Sequence, residues 1–459
     1  AAVAYRPCYP RPGWAEQDPG LWEQALGPAI ARALEAAGSA PDAVRGLGIC
    51  GQLDGCVAVD RDGAPLAPCL IWMDRRAEAE VQELSAERIR AATGLVLDAT
   101  HMAAKARWLK RHLPEPARIR RFHQPVSHLV ARLAGEHVFD HGLASTTMVY
   151  DLEGRAFDPA LLALFELRAD ELPAIAEASD CAGRLHRDGA ALTGLPVGTP
   201  IAVGTGDDFS NPLGAGLVAP GKFACALGTA EVVGGLHDTP AIDRQGLVET
   251  HGYPGGRFFI ENPGWLAGGA LAWFVDTFRL RDVRELDALA ASAPPGSDGV
   301  IFLPALSGAM APEWIASARG CFYGLSAAHG SAHFARAVLE GCAFAMQDVL
   351  ERLLEMGLAI DAIRLLGGGA KSALWARIRA DLTGLPVEVP QITDTSPIAA
   401  AMLAAVAEGV QPSLAAAAGL VAGELRTIAP DPTKKAAYSD AYNAYRNLFQ
   451  SLRPLFGER

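Results

Sequence analysis

Pro200-Ile201-Ala202-Val203-Gly204-Thr205-Gly206-Asp207-Asp208-Phe209-Ser210-Asn211-Pro212-Leu213-Gly214-Ala215-Gly216 is a short apolar run that ends in glycines and two adjacent carboxylates. Pro200 to Val203 reads as a buried strand, which places Asp207 just past its tip, where open α/β sheets present their chemistry. Two readings of Asp207 stand open on these residues alone. It is a catalytic base at a strand end, or, with Asp208, it caps the helix that follows the glycine turn.

The same alternation extends on both sides and points to a mixed α/β protein. Leu21, Trp22, Leu26, Ile30 and Leu34 recur at helical spacing between Asp18-Pro19 and Gly38. Strands are expected over Val44 to Ile49 and Cys56 to Asp60, on either side of Gly51-Gln52-Leu53-Asp54-Gly55. A helix from Ala103 to Leu113 carries Trp108 and Lys105, the lysine read as lying along the core with its ammonium in water. Downstream, Leu227-Gly228-Thr229-Ala230 ends a strand in small residues that let backbone amides approach an anion. Pro240 to Gly256 reads as a loop with at most one strand, and Leu266 to Ala270 opens a helix toward Phe278. Ser331 to Met356 is the longest helix, with Phe334, Val338, Cys342, Met346, Val349 and Leu353 in one stripe. Ile363 to Leu366 then meets Gly367-Gly368-Gly369-Ala370, and Ser372 caps a helix ending near Gly384. Strand, triple glycine and helix N-terminus form an arrangement that accepts a phosphate or a ribose.

The whole chain sets limits on these readings. Its 459 residues exceed one core and fit two domains or three. A formal charge of -12 argues against a general nucleic-acid or anionic-membrane surface. The eight cysteines are scattered through apolar runs without a C-x-x-C pair, which suits reduced thiols and a cytoplasmic protein. No apolar run reaches membrane-spanning length, since Glu408 and Gly409 interrupt the alanine-rich stretch from Ile398 to Val421. His123, His128, His137 and His141 lack the cysteine or paired carboxylates that would complete a zinc set. Gly46-x-Gly48-x-x-Gly51 has the dinucleotide spacing, but its glycines lie inside the first strand and a second strand follows. Gly216 to Phe223 falls one residue short of a phosphate loop and reads as a hairpin turn. The chain opens Ala1-Ala2-Val3-Ala4-Tyr5 as though in mid-strand, so further residues are expected upstream.

In this order the segments resemble the FGGY family of carbohydrate kinases, and within it xylulose kinases. Gly320-Cys321-Phe322-Tyr323-Gly324-Leu325, followed after seven residues by His333-Phe334-Ala335-Arg336-Ala337-Val338-Leu339-Glu340, satisfies the family's second signature throughout. Gly13-Trp14, Glu16 to Pro19, Trp72, Asp74 to Arg76, Gly204 to Asp207, Leu227 to Thr229 and Gly367 to Ser372 support it. The resemblance implies two ribonuclease-H-like domains of the actin-like ATPase class with a cleft between them. Residues 1–216 would form the sugar-binding domain and 217–459 the nucleotide-binding domain, with the tail from about 434 docking on the first.

The implied reaction is transfer of the γ-phosphoryl of ATP to a hydroxyl of a small sugar or polyol, with Asp207 as general base and Mg2+ expected. Gln52, Leu53, Asp54 and Asp208 would touch the sugar, with Trp72 and Asp74 bordering it. Gly228, Thr229 and Ala230 would face the phosphates and Gly268 the same nucleotide. Gly367, Gly368, Gly369 and Ser372 would accept the adenosine. Metal ligands and oligomeric state are left open by the sequence, a homodimer included.

Three departures qualify this. Gln52-Leu53-Asp54-Gly55 stands where xylulose kinases usually read Gln-Met-His-Gly, and Asp207-Asp208 where they read Asp-Asn. Carboxylates accept hydrogen bonds from hydroxyls but donate to a ketose carbonyl only when protonated, so a polyol or another pentulose enters as acceptor. Family members also begin with a strand bearing Asp-x-Gly-Thr or Asp-x-Gly-Ser, which this sequence does not supply. The alternative function is a catalytically silent sugar- or nucleotide-binding regulator of the same fold.

Overall fold

The computed structural model describes residues 1–457 apart from 422 and 424. Helix α1 (Pro19–Ala37) begins where the Asp18 side chain accepts from Gly20 N at 2.9 Å and stops at Gly38, whose φ of 61° a side chain would disfavour. In chain order follow β1 (Cys50–Gly51), β2 (Val57–Val59), α2 (Met102–His112), β3 (Arg121–His123), α3 (Pro125–Ala134), β4 (Val138–Asp140) and α4 (His141–Ser145). The first half ends with β5 (Pro200–Ala202), β6 (Thr205–Gly206) and α5 (Asp207–Gly214). β1 and β6 are parallel, with Thr205 opposite Cys50 and Gly206 opposite Gly51. Two parallel strands release their chains at the same end, so Gln52 to Asp54 and Asp207 to Asp208 leave side by side.

The expected strand over Val44 to Ile49 is not a regular one. The segment is extended and bonds to the β5–β6 region through Leu47 N to Pro200 O (2.8 Å) and Thr205 N to Ile49 O (3.3 Å). Regular pairing begins only at Cys50. Gly46 and Gly48 explain the difference, because they serve packing: a Cβ on Gly48 would sit 2.0 Å from Ala400 O.

The second half contains β7 (Gly221–Leu227), β8 (Ala230–His237), β9 (Glu249–Tyr253), β10 (Arg257–Leu266), α6 (Gly268–Thr277) and α7 (Ser331–Glu355). After them come β11 (Ile360–Leu366), α8 (Ala373–Thr383), β12 (Val387–Pro390), α9 (Ser396–Ala407), β13 (Leu425–Ile428) and α10 (Lys435–Leu452). One seven-stranded sheet runs β9-β10-β8-β7-β11-β12-β13. β7, β11 and β12 are parallel, which requires crossover connections between them; the hairpins on one side and β13 on the other are antiparallel. The one strand that the reading of Pro240 to Gly256 allowed is β9, whose residues are all buried.

Separate cores lie under each half, and a third joins Ala202, Phe209 and Leu213 to Ala224, Phe259, Leu366, Met402 and Leu403. Edge strand β9 abuts α4 closely, since Gly252 N donates to Ser145 Oγ at 3.0 Å and a Cβ on Gly252 would meet His141 O at 2.6 Å. The tail docks on the second half rather than on the first: Tyr438, Tyr445 and Phe449 of α10 enter the core beside α7, α8 and the short strand Ile301–Leu303. Arg336 Nη2 donates to the Tyr438 hydroxyl and the Tyr442 hydroxyl donates to Asp348, both at 2.7 Å, so α7 supplies polar anchors to α10.

Candidate active site

Asp207 is the first residue of α5, whose N-cap position is Gly206, with no side-chain cap. Its carboxylate is thus not the cap that one reading allowed. It is half-buried, and burial raises its pKa while the amides of Leu53, Asp207 and Asp208 pull it back. Asp208 is driven well above the ordinary carboxylate range by burial and by the charges of Asp207, Asp54 and Glu249. The two carboxyls titrate as a coupled pair, and burial together with three neighbouring negative charges makes Asp208 the more strongly raised member. Behind them, Thr205 Oγ1 donates to Asp140 at 2.7 Å, and Asp140 also accepts from Gly142 N and Leu143 N. That network fixes β6, and burial lifts Asp140 to about 6.

Asp54 is held from several sides. It is buried with φ at 59°, its N–H donates to Gln124 Oε1 at 2.9 Å, and its carbonyl accepts from Lys105 Nζ at 2.8 Å. Lys105 is fully buried and also donates to Ile71 O at 2.8 Å, so the ammonium clamps two backbone segments and does not reach water as the sequence suggested. Burial depresses its pKa, and Asp54 opposes that. The Asp54 carboxylate lies 3.3 Å from His101 Nδ1, and His101 Nε2 lies 3.5 Å from Glu249 of the second half. Burial disfavours the imidazolium, but Asp54 and Glu249 outweigh it and hold His101 well above the ordinary range. Farther along the same sheet face, His251 Nε2 is 3.3 Å from Glu261, whose pKa is pushed well up by burial and by Asp208 and Glu249. Asp54, Asp207, Asp208, Glu249 and Glu261 thus form one electrostatically linked cluster with His101 and His251.

The other sequence-named acceptor residues are dispersed. Leu53 packs on Gly206, directly beside Asp207. Gln52 Nε2 donates to Gln17 Oε1 at 2.7 Å. Trp72 follows Ile71, which Lys105 ties to Asp54, and the residue is 49% exposed. Asp74 is engaged elsewhere: its carboxylate accepts from Ala15 N at 2.6 Å and from Arg76 at 2.7 Å, fully buried.

Across the structure, three glycine segments that are distant in sequence converge. A Cβ on Gly268 would lie 2.2 Å from Gly228 O, and Gly269 N donates to Thr229 O at 2.9 Å. Gly367, at φ 77°, would put a Cβ 2.6 Å from Leu227 O, and one on Gly369 would lie 2.8 Å from Leu227 and 2.9 Å from Trp375. Gly228, Thr229 and Gly368 face outward from this knot and are exposed. Ser372 Oγ accepts from Trp375 N at 3.0 Å and caps α8. The result is a cradle of bare backbone beside a helix N-terminus, suited to a nucleotide's phosphates and ribose. Segment Thr393–Ser396 links it to Asp207: Thr393 O accepts from Gly367 N at 3.0 Å, and Ser396 Oγ is 2.6 Å from Ser210 Oγ on α5.

For a divalent metal, no group of three or more ligating side chains is present among the described residues. Such an ion would be held chiefly by phosphate oxygens and water. Of the four histidines weighed for zinc, His137 Nδ1 lies 3.1 Å from His123 Nε2, His128 lies beside Glu23 and His141 beside Tyr150. Sequence reading missed His101, Asp140, Glu249 and Glu261. An isolated glutamate inside an apolar run, as in Phe258-Phe259-Ile260-Glu261, is the signal that was there to find.

Residues 1–214 match the N-terminal domain, and residues 223–408 the C-terminal domain, of the FGGY family of carbohydrate kinases. The chain is 32% identical over 452 residues to the xylulose kinase of Escherichia coli strain K12, covering 97% of this chain and 92% of that protein. It is 35% identical over 422 residues to the glycerol kinase of Aromatoleum aromaticum, covering 88% and 84% respectively. The crystal structure of xylulose kinase from Rhodospirillum rubrum superposes with a TM-score of 0.89 at 29% identity, covering 98% of this chain and 93% of the other. The fold is accordingly the two-domain, actin-like ATPase fold of these enzymes.

Proposed function

The chain belongs to the FGGY family of carbohydrate kinases, and from that premise we propose that Asp207 is the general base that readies a hydroxyl of a neutral sugar or polyol for phosphorylation by ATP. The observation that carries this reading is the parallel β1–β6 pairing, which sets Asp207 next to Asp54 and Asp208 at one strand end. Asp207, once ionised, accepts the hydroxyl proton as the oxygen attacks the γ-phosphorus; the bond to the β-phosphate oxygen breaks and ADP leaves. The cradle of Gly228, Thr229, Gly268 and Gly367 to Gly369 holds the nucleotide through backbone amides, with Ser372 near the adenosine. Magnesium, where bound, neutralises charge on the phosphates.

Carboxylate oxygens around the acceptor favour a hydroxyl-rich, uncharged ligand and repel sugar acids. Asp208 and Glu261, both pushed well above the ordinary carboxylate range by burial and neighbouring charge, can when protonated also donate to a carbonyl, so a pentulose and a linear polyol both suit the site. Eight cysteines without a disulfide among the described residues suit a reducing compartment, and we assign the protein to the cytoplasm.

The test is acceptor-dependent ADP release across pentuloses, hexuloses, linear polyols and aldonates. Turnover on a neutral acceptor, and none on aldonates, is expected. No turnover on any acceptor would leave the silent-regulator reading in its place.

A further inference from the structure

Glu231 directly follows Ala230 at the start of β8, on the strand that leaves the phosphate-facing hairpin, and Arg379 lies on α8, about two turns beyond Ser372. Both side chains are fully buried, with Arg379 Nη2 at 2.7 and 2.6 Å from the two Glu231 oxygens. The guanidinium also lies 4.4 Å over the ring of Trp375, the residue whose N–H is held by Ser372. Its Nε and Nη1 have no hydrogen-bond partner. Buried Cys225 and Cys342 are close enough for Glu231 to help raise their thiol pKa values, after burial itself.

Stability is a poor account of this pair. Withdrawing two charges from water costs several kcal/mol per ion, and a guanidinium with unmade hydrogen bonds recovers only part of that. Well-packed apolar residues of similar volume are often neutral or better at such positions. What the pair does is join two elements that must keep register. Leu227 already lies against Gly367 and Gly369 with no room for a Cβ, so the hairpin cannot slide along α8 without opening or crushing the cradle.

We propose that Glu231 and Arg379 are positioning residues of the nucleotide site, fixing the hairpin Leu227–Ala230 against helix α8 so that the phosphate and adenosine ends of one nucleotide are met together. This rests on the reading of the glycine cradle as the nucleotide site. The pair touches no nucleotide and acts through Ala230 on one side and Trp375–Ser372 on the other.

The double variant Glu231→Leu/Arg379→Met tests it, with calorimetric titration by ADP alone, steady-state KM for ATP and acceptor, and thermal unfolding. Expected are an unfolding temperature equal to or above that of the parent, an unchanged acceptor KM, and ADP affinity and ATP KM each weakened roughly tenfold or more. Glu231→Gln, which keeps one acceptor oxygen, should fall between parent and double variant. Unchanged ADP affinity in a folded double variant overturns the proposal, as does a double variant that no longer folds, since the pair would then be a packing element. Absence of ADP binding by the parent overturns the nucleotide-site reading and this proposal together. Absence of turnover with ADP binding intact removes the kinase reading, and the affinity comparison still decides the pair.

Discussion

Around Asp207 the clustered polar groups belong to side chains: Asp54, Asp208, Glu249 and Glu261, with His101 between two of them. Around Gly228 they belong to the backbone, and the side chains are absent because Gly228 O, Leu227 O and Trp375 occupy the places where Cβ atoms would go. Side-chain carboxylates can take or hold a proton, and their spacing can discriminate among hydroxyls. Backbone amides cannot titrate, but they present a fixed pattern to any nucleoside phosphate. One side is therefore sensitive to charge and pH and the other to shape, and substitutions should separate the two.

The largest expected effect is on the acceptor side. His101→Leu leaves Asp54 and Glu249 without their shared imidazolium and should destabilise the fold by about 3 kcal/mol, read by denaturant unfolding at neutral pH. The sign with pH follows from the raised pKa. The stabilisation from His101 is fully present below its unfolded value of about 6.5 and is lost as pH rises through the higher folded value. The parent should lose stability over that alkaline range relative to His101→Leu; parallel curves would break the account of the Asp54–His101–Glu249 bridge.

Next in size is Gly268→Ala, where the new methyl would lie 2.2 Å from the Gly228 carbonyl. Weakening of ADP binding by roughly tenfold or more, with acceptor KM unchanged, is expected from a displacement of this scale. Equal damage to both ligands would mean that the two sides are not separable. The acid limb of kcat/KM should be abolished or moved by substitutions at Asp208 and left in place by Gly268→Ala. In the parent that limb should lie above the range of a free carboxylate, because Asp207 must lose its proton against burial. Smallest is Ser372→Ala, which removes the cap of α8 and should cost about 1 kcal/mol in thermal unfolding, with a modest rise in ATP KM.

The difference between the sides also explains what could be read from the chain. The glycine segments and Asp207 are local patterns: a strand, a turn and a helix start lie within a few residues, and the chemistry is written beside them. Asp54 is local too, because the parallel strand that carries it is short and ends in the same kind of turn. Glu249 and Glu261 are different, since their place depends on β9 lying against α4, a contact between segments about a hundred residues apart. Lys105 reads in the sequence as a helical lysine lying along the core, yet burial of its ammonium on Asp54 O and Ile71 O follows only from the fold of the first half. Gly48 shows the opposite failure. Its spacing resembled a cofactor motif, and its use is to let α9 approach within packing distance.

The central claim is that Asp207 carries the chemistry while backbone holds the nucleotide. Asp207→Asn tests it most directly, with ADP and acceptor binding measured by calorimetry alongside single-turnover transfer to the best acceptor. The account predicts dissociation constants close to those of the parent and a transfer rate lower by roughly 10²-fold or more. An undiminished transfer rate, or a loss of nucleotide binding that by itself explains the loss of rate, would contradict it.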